Sequence, residues 1–141
     1  MSSSYKFIDH TADIAVEISA DTIEELFIVS ARAFKEAVVE FNPKNTSEDF
    51  NLILDSHSIE ALLVGFLNEL NFRLIYKRKI SININNMKII QNGDNWNLQC
   101  ILQESIIDEN KIKTEIKSVT YHQMEIKKEN GKYFTRIVFD I

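Results

Sequence analysis

The change in hydrophobic period along the chain most constrains its fold. Apolar side chains recur every three or four residues between Ile23 and Phe41 and again between Ile59 and Leu74. That spacing places them on one face of an α-helix, so the sequence predicts two amphipathic helices. Most other segments alternate apolar and polar residues, which is typical of half-buried β-strands.

Both helices carry signals at their ends. The first is expected to begin at residue 21 or 22, because Thr22 followed by Glu25 fits a capping box. Asn42-Pro43 is expected to end it, since the residue before a proline disfavours the helical conformation. The second helix is expected to begin near Ser56 or Ser58, where a hydroxyl can cap the first turn.

The alternating segments predict seven or eight strands. They lie at residues 5–8, 13–19, 50–54, 80–84, 96–102, 111–128 and 133–139, with turn signals at Asn92-Gly93 and Asn130-Gly131. The alternation changes phase near Ser118, where a β-bulge would fit. Because helices and strands do not alternate regularly, we predict an α+β fold: a mixed β-sheet of seven or eight strands packed on one face by both helices.

Length, charge and cysteine content exclude several classes of protein. The 141 residues suit one domain, expected to span residues 1–141. A net charge of −5 argues against strong direct binding of nucleic acid, which needs a surplus of Lys and Arg. Cys100 is alone, which leaves no disulfide framework, and it is expected to be a buried strand residue. With no signal-peptide core and no apolar run of ~20 residues, a cytoplasmic protein without a membrane span is expected.

The carboxyl terminus suggests a cation site. The chain ends in an apolar strand, so the side chain of Asp140 and the terminal carboxylate of Ile141 are adjacent anions. Neighbouring carboxylates repel unless a positive charge lies between them, and their oxygens suit calcium, magnesium or manganese. Asp13 would add a third negative charge. The alternative is a frayed end with solvated charges.

The segment HTAD, residues 10–13, places polar side chains beside a predicted core strand. Asp13 begins that strand, from which it can reach the end of the terminal strand. Thr11 or His10 can hold Asp13 through hydrogen bonds. A direct ligand role for His10 would suit zinc or nickel, but an oxygen-rich set needs no nitrogen, so a structural histidine at a turn is favoured.

Four segments together show a resemblance to a known family: HTADI at 10–14, EALLVGFLNELNF at 60–72, EIKSVTYH at 115–122 and VFDI at 138–141. In this order and spacing the chain resembles the archease family from Phe7 to Ile141. The resemblance implies a non-enzymatic, chaperone-like activator of the tRNA-splicing RNA ligase. Such a protein promotes guanylylation and multiple turnover of the ligase and broadens its use of nucleoside triphosphates. Some family members are linked to a tRNA methyltransferase.

The resemblance also implies a bound divalent cation, usually calcium, with magnesium, manganese and zinc not excluded. The ligand positions of the family match Asp13, Asp140 and Ile141. By the same analogy, Lys117 is a candidate contact to the ligase or to nucleotide phosphates. By its alternation alone, however, Lys117 belongs to a salt bridge or a solvated strand face.

Other polar residues admit more than one interpretation. Glu69, next to Asn68, either marks the edge of the apolar stripe of the second helix or faces the cation or the partner. His122 has no orienting acid nearby in the sequence, and a dyad with Ser118 or Thr120 is the weaker interpretation. No catalytic residues are predicted. The competing hypothesis is an independent metal-dependent hydrolase of phosphoesters that uses Asp13, Asp140, His10 and Lys117.

Overall fold

A computed structural model describes residues 3–8, 13–40, 47–121 and 123–141. It contains two α-helices, eight β-strands and a short 3-10 turn at Glu109–Lys111. The elements are, in chain order, β1 (Ser4–Ile8), β2 (Asp13–Ala20), α1 (Ile23–Val38), β3 (Ser47–Ser56), α2 (Ile59–Lys77), β4 (Lys79–Asn92), β5 (Asn95–Ile106), β6 (Ser118–Val119), β7 (Lys127–Glu129) and β8 (Lys132–Asp140).

Five strands form a sheet around the carboxyl-terminal strand β8. Its order is β1-β2-β8-β6. Strand β7 also pairs with β8, at the start of β8, whereas β6 pairs with the end of β8. The β7–β8 hairpin turns at Asn130-Gly131, where both residues have positive φ, 52° and 77°. This is the left-handed conformation that two-residue hairpin turns require and that Asn and Gly tolerate.

The other three strands form a second sheet, of order β3-β5-β4. β4 and β5 are joined by the predicted turn at Gly93, and the β4 register shifts between Ser81 and Asn83 and between Asn85 and Lys88. Cys100 is buried in β5 as predicted, and burial raises the pKa of its thiol to about 12. The thiol is therefore an inert packing group.

Both helices begin at hydroxyl caps. The Thr22 side chain accepts a hydrogen bond from the Glu25 backbone N–H (3.1 Å), and the Ser58 side chain accepts one from the Ala61 N–H (3.0 Å). Arg78 closes α2 in the left-handed conformation. The predicted starts are thereby confirmed. The first helix ends at Val38, and the next residue, Val39, is extended, so the helix stops before the predicted end at Asn42-Pro43, which lies outside the described residues.

The core joins the two sheets through the helices. α1 contacts β1, β2 and β8 of the five-stranded sheet and β4 of the three-stranded sheet, and α2 contacts β3, β4, β5 and β6. Fully buried side chains from all three layers meet there: Ile18, Phe27, Phe34, Leu63, Phe66, Leu98, Leu102 and Phe139. In the described part of the chain, neither helix is long and apolar enough to cross a membrane.

The α+β class, with two helices and eight strands, is confirmed, but the strand arrangement differs from the prediction in three ways. The strands divide into two sheets, and every strand pair of the described residues is antiparallel, so there is no single mixed sheet. The long strand predicted at 111–128 is reduced to β6 and β7. The bulge-like register shifts lie in β4, not near Ser118.

The physical reason lies in the backbone partners of residues 111–128. Lys113 N–H donates to the carbonyl of Val38 at the end of α1 (2.7 Å), and the backbone of Ile116 and Val119 bonds to side chains of α2. These partners replace a neighbouring strand. Residues 111–128 therefore form mostly irregular structure although their sequence alternates. The alternation indicates which side chains are buried and not which groups the backbone bonds to.

Candidate cation site

The strand register brings Asp13 directly opposite Asp140. β2 and β8 pair antiparallel from Asp13↔Asp140 to Ala20↔Tyr133 without interruption. Directly opposite residues project to the same face of a sheet, with Cβ atoms roughly 5 Å apart. Residues far apart in the chain are therefore neighbours at one end of the five-stranded sheet. Asp13 is half-buried and Asp140 is exposed.

A third strand reaches the same place from the other side. β6 pairs with β8 so that Ser118 lies opposite Asp140 and Val119 opposite the buried Phe139. Ser118, Asp140 and Asp13 thus form a row across β6, β8 and β2, on the face away from the core. Ile141 follows Asp140 directly, and its side chain is 41% exposed.

Lys117 is attached to this row through its backbone. Its N–H donates to the carbonyl oxygen of Asp140 at 2.8 Å, and the N–H of Thr120 donates to the carbonyl of Val138 at 3.1 Å. The Lys117 side chain is exposed. The structure therefore places the main chain of Lys117 beside that of Asp140, while a role for its side chain toward a partner stays a prediction.

The chemistry of the row suits a hard cation. Like charges directly opposite on neighbouring strands destabilise a sheet, and a divalent cation between them removes the repulsion. Carboxylate oxygens are ligands for calcium and magnesium, and the hydroxyl of Ser118 adds a neutral oxygen nearby. Among the described residues, no group of three or more His, Cys, Asp or Glu side chains is placed so that it could hold a metal ion. A ligand set of Asp13, Asp140 and the carboxylate of Ile141 therefore stays a prediction.

The structure places the other predicted site residues differently or not at all. His10, Thr11 and His122 lie outside the described residues. Glu69 is half-buried on α2, where its charge is one of the influences that raise the pKa of Arg73. Within the described part of the chain, α2 reaches the five-stranded sheet only through β6. A role for Glu69 toward the cation or a partner remains a prediction.

The sequence analysis missed a buried ion pair between α2 and the three-stranded sheet. Arg73 of α2 donates two hydrogen bonds to Glu104 of β5, from Nε (2.6 Å) and from Nη2 (2.8 Å). The pair is 7% and 2% exposed, and the Arg73 guanidinium lies 3.5 Å from the ring centroid of Phe50. The hydrogen bond to Glu104 raises the pKa of Arg73. A signal was available, because Arg73 falls inside the apolar stripe next to Leu74.

A groove of about 630 Å³ lies elsewhere on the outer face of the five-stranded sheet. It is lined by charges of both signs, among them a cross-strand row of Lys6, Glu17 and Arg136. Arg136 precedes Val138 on β8 and lies further from the carboxyl terminus. None of the predicted site residues that the structure describes lines this groove.

The similarity to known proteins extends over nearly the whole chain. The model of the Archease protein family (MTH1598/TM1083) matches residues 5–141. Protein archease of Sulfolobus acidocaldarius is 31% identical over 147 residues, which cover 97% of this chain and 98% of the relative. Protein archease of Methanopyrus kandleri is 26% identical over 136 residues, which cover 95% of this chain and 96% of the relative.

Two solved structures share the architecture. The solution structure of protein 1598 of Methanobacterium thermoautotrophicum has a TM-score of 0.77 at 27% identity and covers 97% of this chain and 98% of its own. A crystal structure from Thermotoga maritima, described as an archease and possible chaperone, has a TM-score of 0.60 at 24% identity, covering 96% of each chain. The second likeness shows the fold alone.

Proposed function

Because this chain belongs to the archease family, we propose that it is an accessory protein that activates the tRNA-splicing RNA ligase and carries a divalent cation while doing so. It would promote guanylylation of the ligase, support multiple turnover and broaden its use of nucleoside triphosphates. The observation that carries the proposal is the in-register pairing of Asp13 with Asp140 at the carboxyl-terminal edge of the sheet. That pairing supports the cation site that the family resemblance implies, because it brings two carboxylates to one end of the sheet.

The proposed cation is held by the side chains of Asp13 and Asp140 and by the carboxylate of Ile141. Calcium is the first candidate, because an all-oxygen set with flexible carboxylates suits its large coordination shell. When bound, the cation neutralises the repelling carboxylates and fixes the end of β8. His10 and Thr11 are proposed to hold Asp13 through hydrogen bonds or to face the ligase.

The surface around the carboxylates is proposed to meet the ligase. Lys117 is exposed, and its backbone is tied to Asp140, so its ammonium group is available to acidic side chains or nucleotide phosphates of a partner. Glu69 is a further candidate contact. A tRNA methyltransferase is a second candidate partner for the same surface.

The decisive assay is multiple-turnover ligation by the cognate ligase at limiting GTP, with and without this protein. We expect added protein to raise both turnover and the guanylylated fraction of the ligase. Asp13→Ala and Asp140→Ala should each abolish most of the effect. Asp94→Ala, which removes an exposed carboxylate in the β4–β5 turn, is the matched control and should retain it. Unchanged ligase turnover would refute the proposal.

An independent metal-dependent hydrolase would need an open coordination position and a base beside the bound water. The described residues bring together no third His, Cys, Asp or Glu side chain for that role. If the chain acts only on the ligase, the purified chain without ligase is expected to turn over no phosphoester. An added extension of several residues after Ile141 separates the two types of site, because it removes the carboxylate from the ligand set and leaves the side chains intact.

A further inference from the structure

Two asparagine side chains of α2 bond to the backbone of β6 and of the segment just before it. Asn68 Oδ1 accepts a hydrogen bond from the Val119 N–H at 3.0 Å, and Asn71 Nδ2 donates one to the Ile116 carbonyl at 2.7 Å. Residues three apart on a helix share a face, so the two amides reach neighbouring parts of the same segment, residues 116–119. Asn68 and Asn71 therefore stand in for a neighbouring strand and satisfy backbone groups that a sheet edge leaves open.

The opposite edge of β6 is bonded to the candidate cation site. The N–H groups of Lys117 and Thr120 donate to the carbonyls of Asp140 and Val138, and Ser118 lies directly opposite Asp140. β6 is thus a two-residue spacer between α2 and the end of β8. A strand this short has few ladder bonds of its own, so its position depends on what holds it from behind.

The environment of the asparagines argues for a specific anchoring role. Asn71 is 8% exposed, and its Oδ1 is buried without a hydrogen-bond partner in the described structure. A buried unsatisfied acceptor destabilises the fold. An asparagine is therefore not expected at a position that only packs against apolar side chains. Its amide nevertheless satisfies the carbonyl of Ile116, a residue only 2% exposed.

The same helix ties down the chain that follows β6. Glu60 Oε2 accepts a hydrogen bond from the Ile126 N–H at 3.0 Å, and the hydroxyls of Ser58 and Tyr121 lie 3.2 Å apart. α2 therefore holds the irregular region around β6 at several points. Asn68 makes the contact that lies nearest in sequence to Ser118 and the carboxylate row.

We infer that Asn68 is a positioning residue for the cation site. By fixing the Val119 N–H, it holds β6 against β8, so that Asp140 is kept in line with Asp13 and with the Ser118 hydroxyl. Asn68 touches neither the cation nor its ligand side chains and acts through β6. This inference rests on the proposed function, because it presupposes that the carboxylates bind a cation.

The test measures calcium binding by calorimetry and backbone hydrogen exchange in calcium-free protein. Asn68→Leu removes the acceptor at similar volume. We expect it to weaken calcium binding about tenfold, the usual effect of losing a group that orients metal ligands. It should also accelerate exchange at Val119 and at residues 138–141. Asn51→Leu on the exposed face of β3 is the matched control and should change neither result.

Asn68→Asp is the conservative variant, because its carboxylate can still accept from the Val119 N–H. It should keep slow exchange at Val119 and retain calcium binding. Asn68→Ser, with a shorter acceptor, replaces the leucine variant if that protein does not fold, and should give a smaller loss in the same direction.

The possible outcomes separate this inference from the function on which it rests. If the wild-type chain binds calcium and Asn68→Leu binds it equally well, while exchange at Val119 accelerates, the positioning role is refuted and the cation site stands. If the wild-type chain binds neither calcium nor manganese, the cation part of the proposed function is refuted, and so is the positioning role of Asn68. Weakened binding together with accelerated exchange at 138–141 supports both.

Discussion

Two pairs of charged residues in this protein differ in burial and in the signs of their charges. Arg73 and Glu104 are buried between α2 and β5, and each neutralises the other through two hydrogen bonds. Asp13 and Asp140 lie opposite each other near the surface and carry the same sign. The first pair is complete without any ligand and stabilises the packing of a helix on a sheet. The second pair places two negative charges on neighbouring strands, and we propose that a cation binds between them.

The difference between the two pairs also shows that the burial of a charged side chain does not by itself identify a functional site. Perturbed charges inside a protein often mark functional sites, but structural ion pairs perturb them too. The two hydrogen bonds to Glu104 and the Phe50 ring over the guanidinium give Arg73 a structural role. The Asp13–Asp140 pair is distinguished by geometry: an uninterrupted register that ends on two carboxylates next to the carboxylate of Ile141.

Breaking the buried pair should have the largest effect. Arg73→Met leaves the Glu104 carboxylate buried without its guanidinium, and we expect the free energy of unfolding to fall by about 3–5 kcal/mol. Urea denaturation at neutral pH measures this change. The double variant Arg73→Met/Glu104→Leu removes the isolated charge and should recover much of the loss. A single-variant loss below about 1 kcal/mol would show that the pair is solvated, and the contrast between the two pairs would disappear.

Neutralising the surface pair should have a smaller effect that depends on the cation. With a chelator present, Asp140→Asn should leave stability unchanged or raise it, because it removes like-charge repulsion. Calcium at a hundred times its dissociation constant should stabilise the wild type by about 2.7 kcal/mol and the variant much less. Urea denaturation with chelator and with calcium measures both. Glu17→Gln, on the same face of β2, is the control. Equal stabilisation of Asp140→Asn and wild type by calcium would contradict the proposed ligand set.

The smallest effect is expected at an exposed pair of opposite charges, Glu48 and Lys79. The hydrogen bond from Lys79 lowers the pKa of Glu48, so the folded value lies below the unfolded one. The stabilisation is therefore complete above the ordinary carboxyl pKa and is lost as the pH falls through the lowered value. The difference in unfolding free energy between wild type and Glu48→Gln should be constant near neutrality and vanish in acid. A difference independent of pH would show that the interaction is not ionic.

Local features of the fold were predictable from the sequence, and long-range ones were not. Thr22 and Ser58 cap the helices, and Asn130-Gly131 makes its turn, because short-range chemistry decides these positions. The division into two sheets depends on which strands pair across the core, and alternation carries no information about that choice. The pairing of Arg73 with Glu104 is a long-range choice of the same kind.

For the candidate site, the sequence predicted adjacent anions at Asp140 and at the carboxylate of Ile141, and the resemblance added Asp13. The register that places Asp13 opposite Asp140 is visible only in the structure. The supporting role of Asn68 was hidden, because a polar residue at the edge of an apolar stripe usually marks the boundary of that stripe.

The most direct test of the cation site is a crystal structure of the protein grown with manganese, whose anomalous scattering locates the ion. We predict an anomalous peak within roughly 2–2.6 Å of oxygens from Asp13, Asp140 and the carboxylate of Ile141. A well-ordered terminal strand with no peak between Asp13 and Asp140, or with the ion bound elsewhere, would contradict the account.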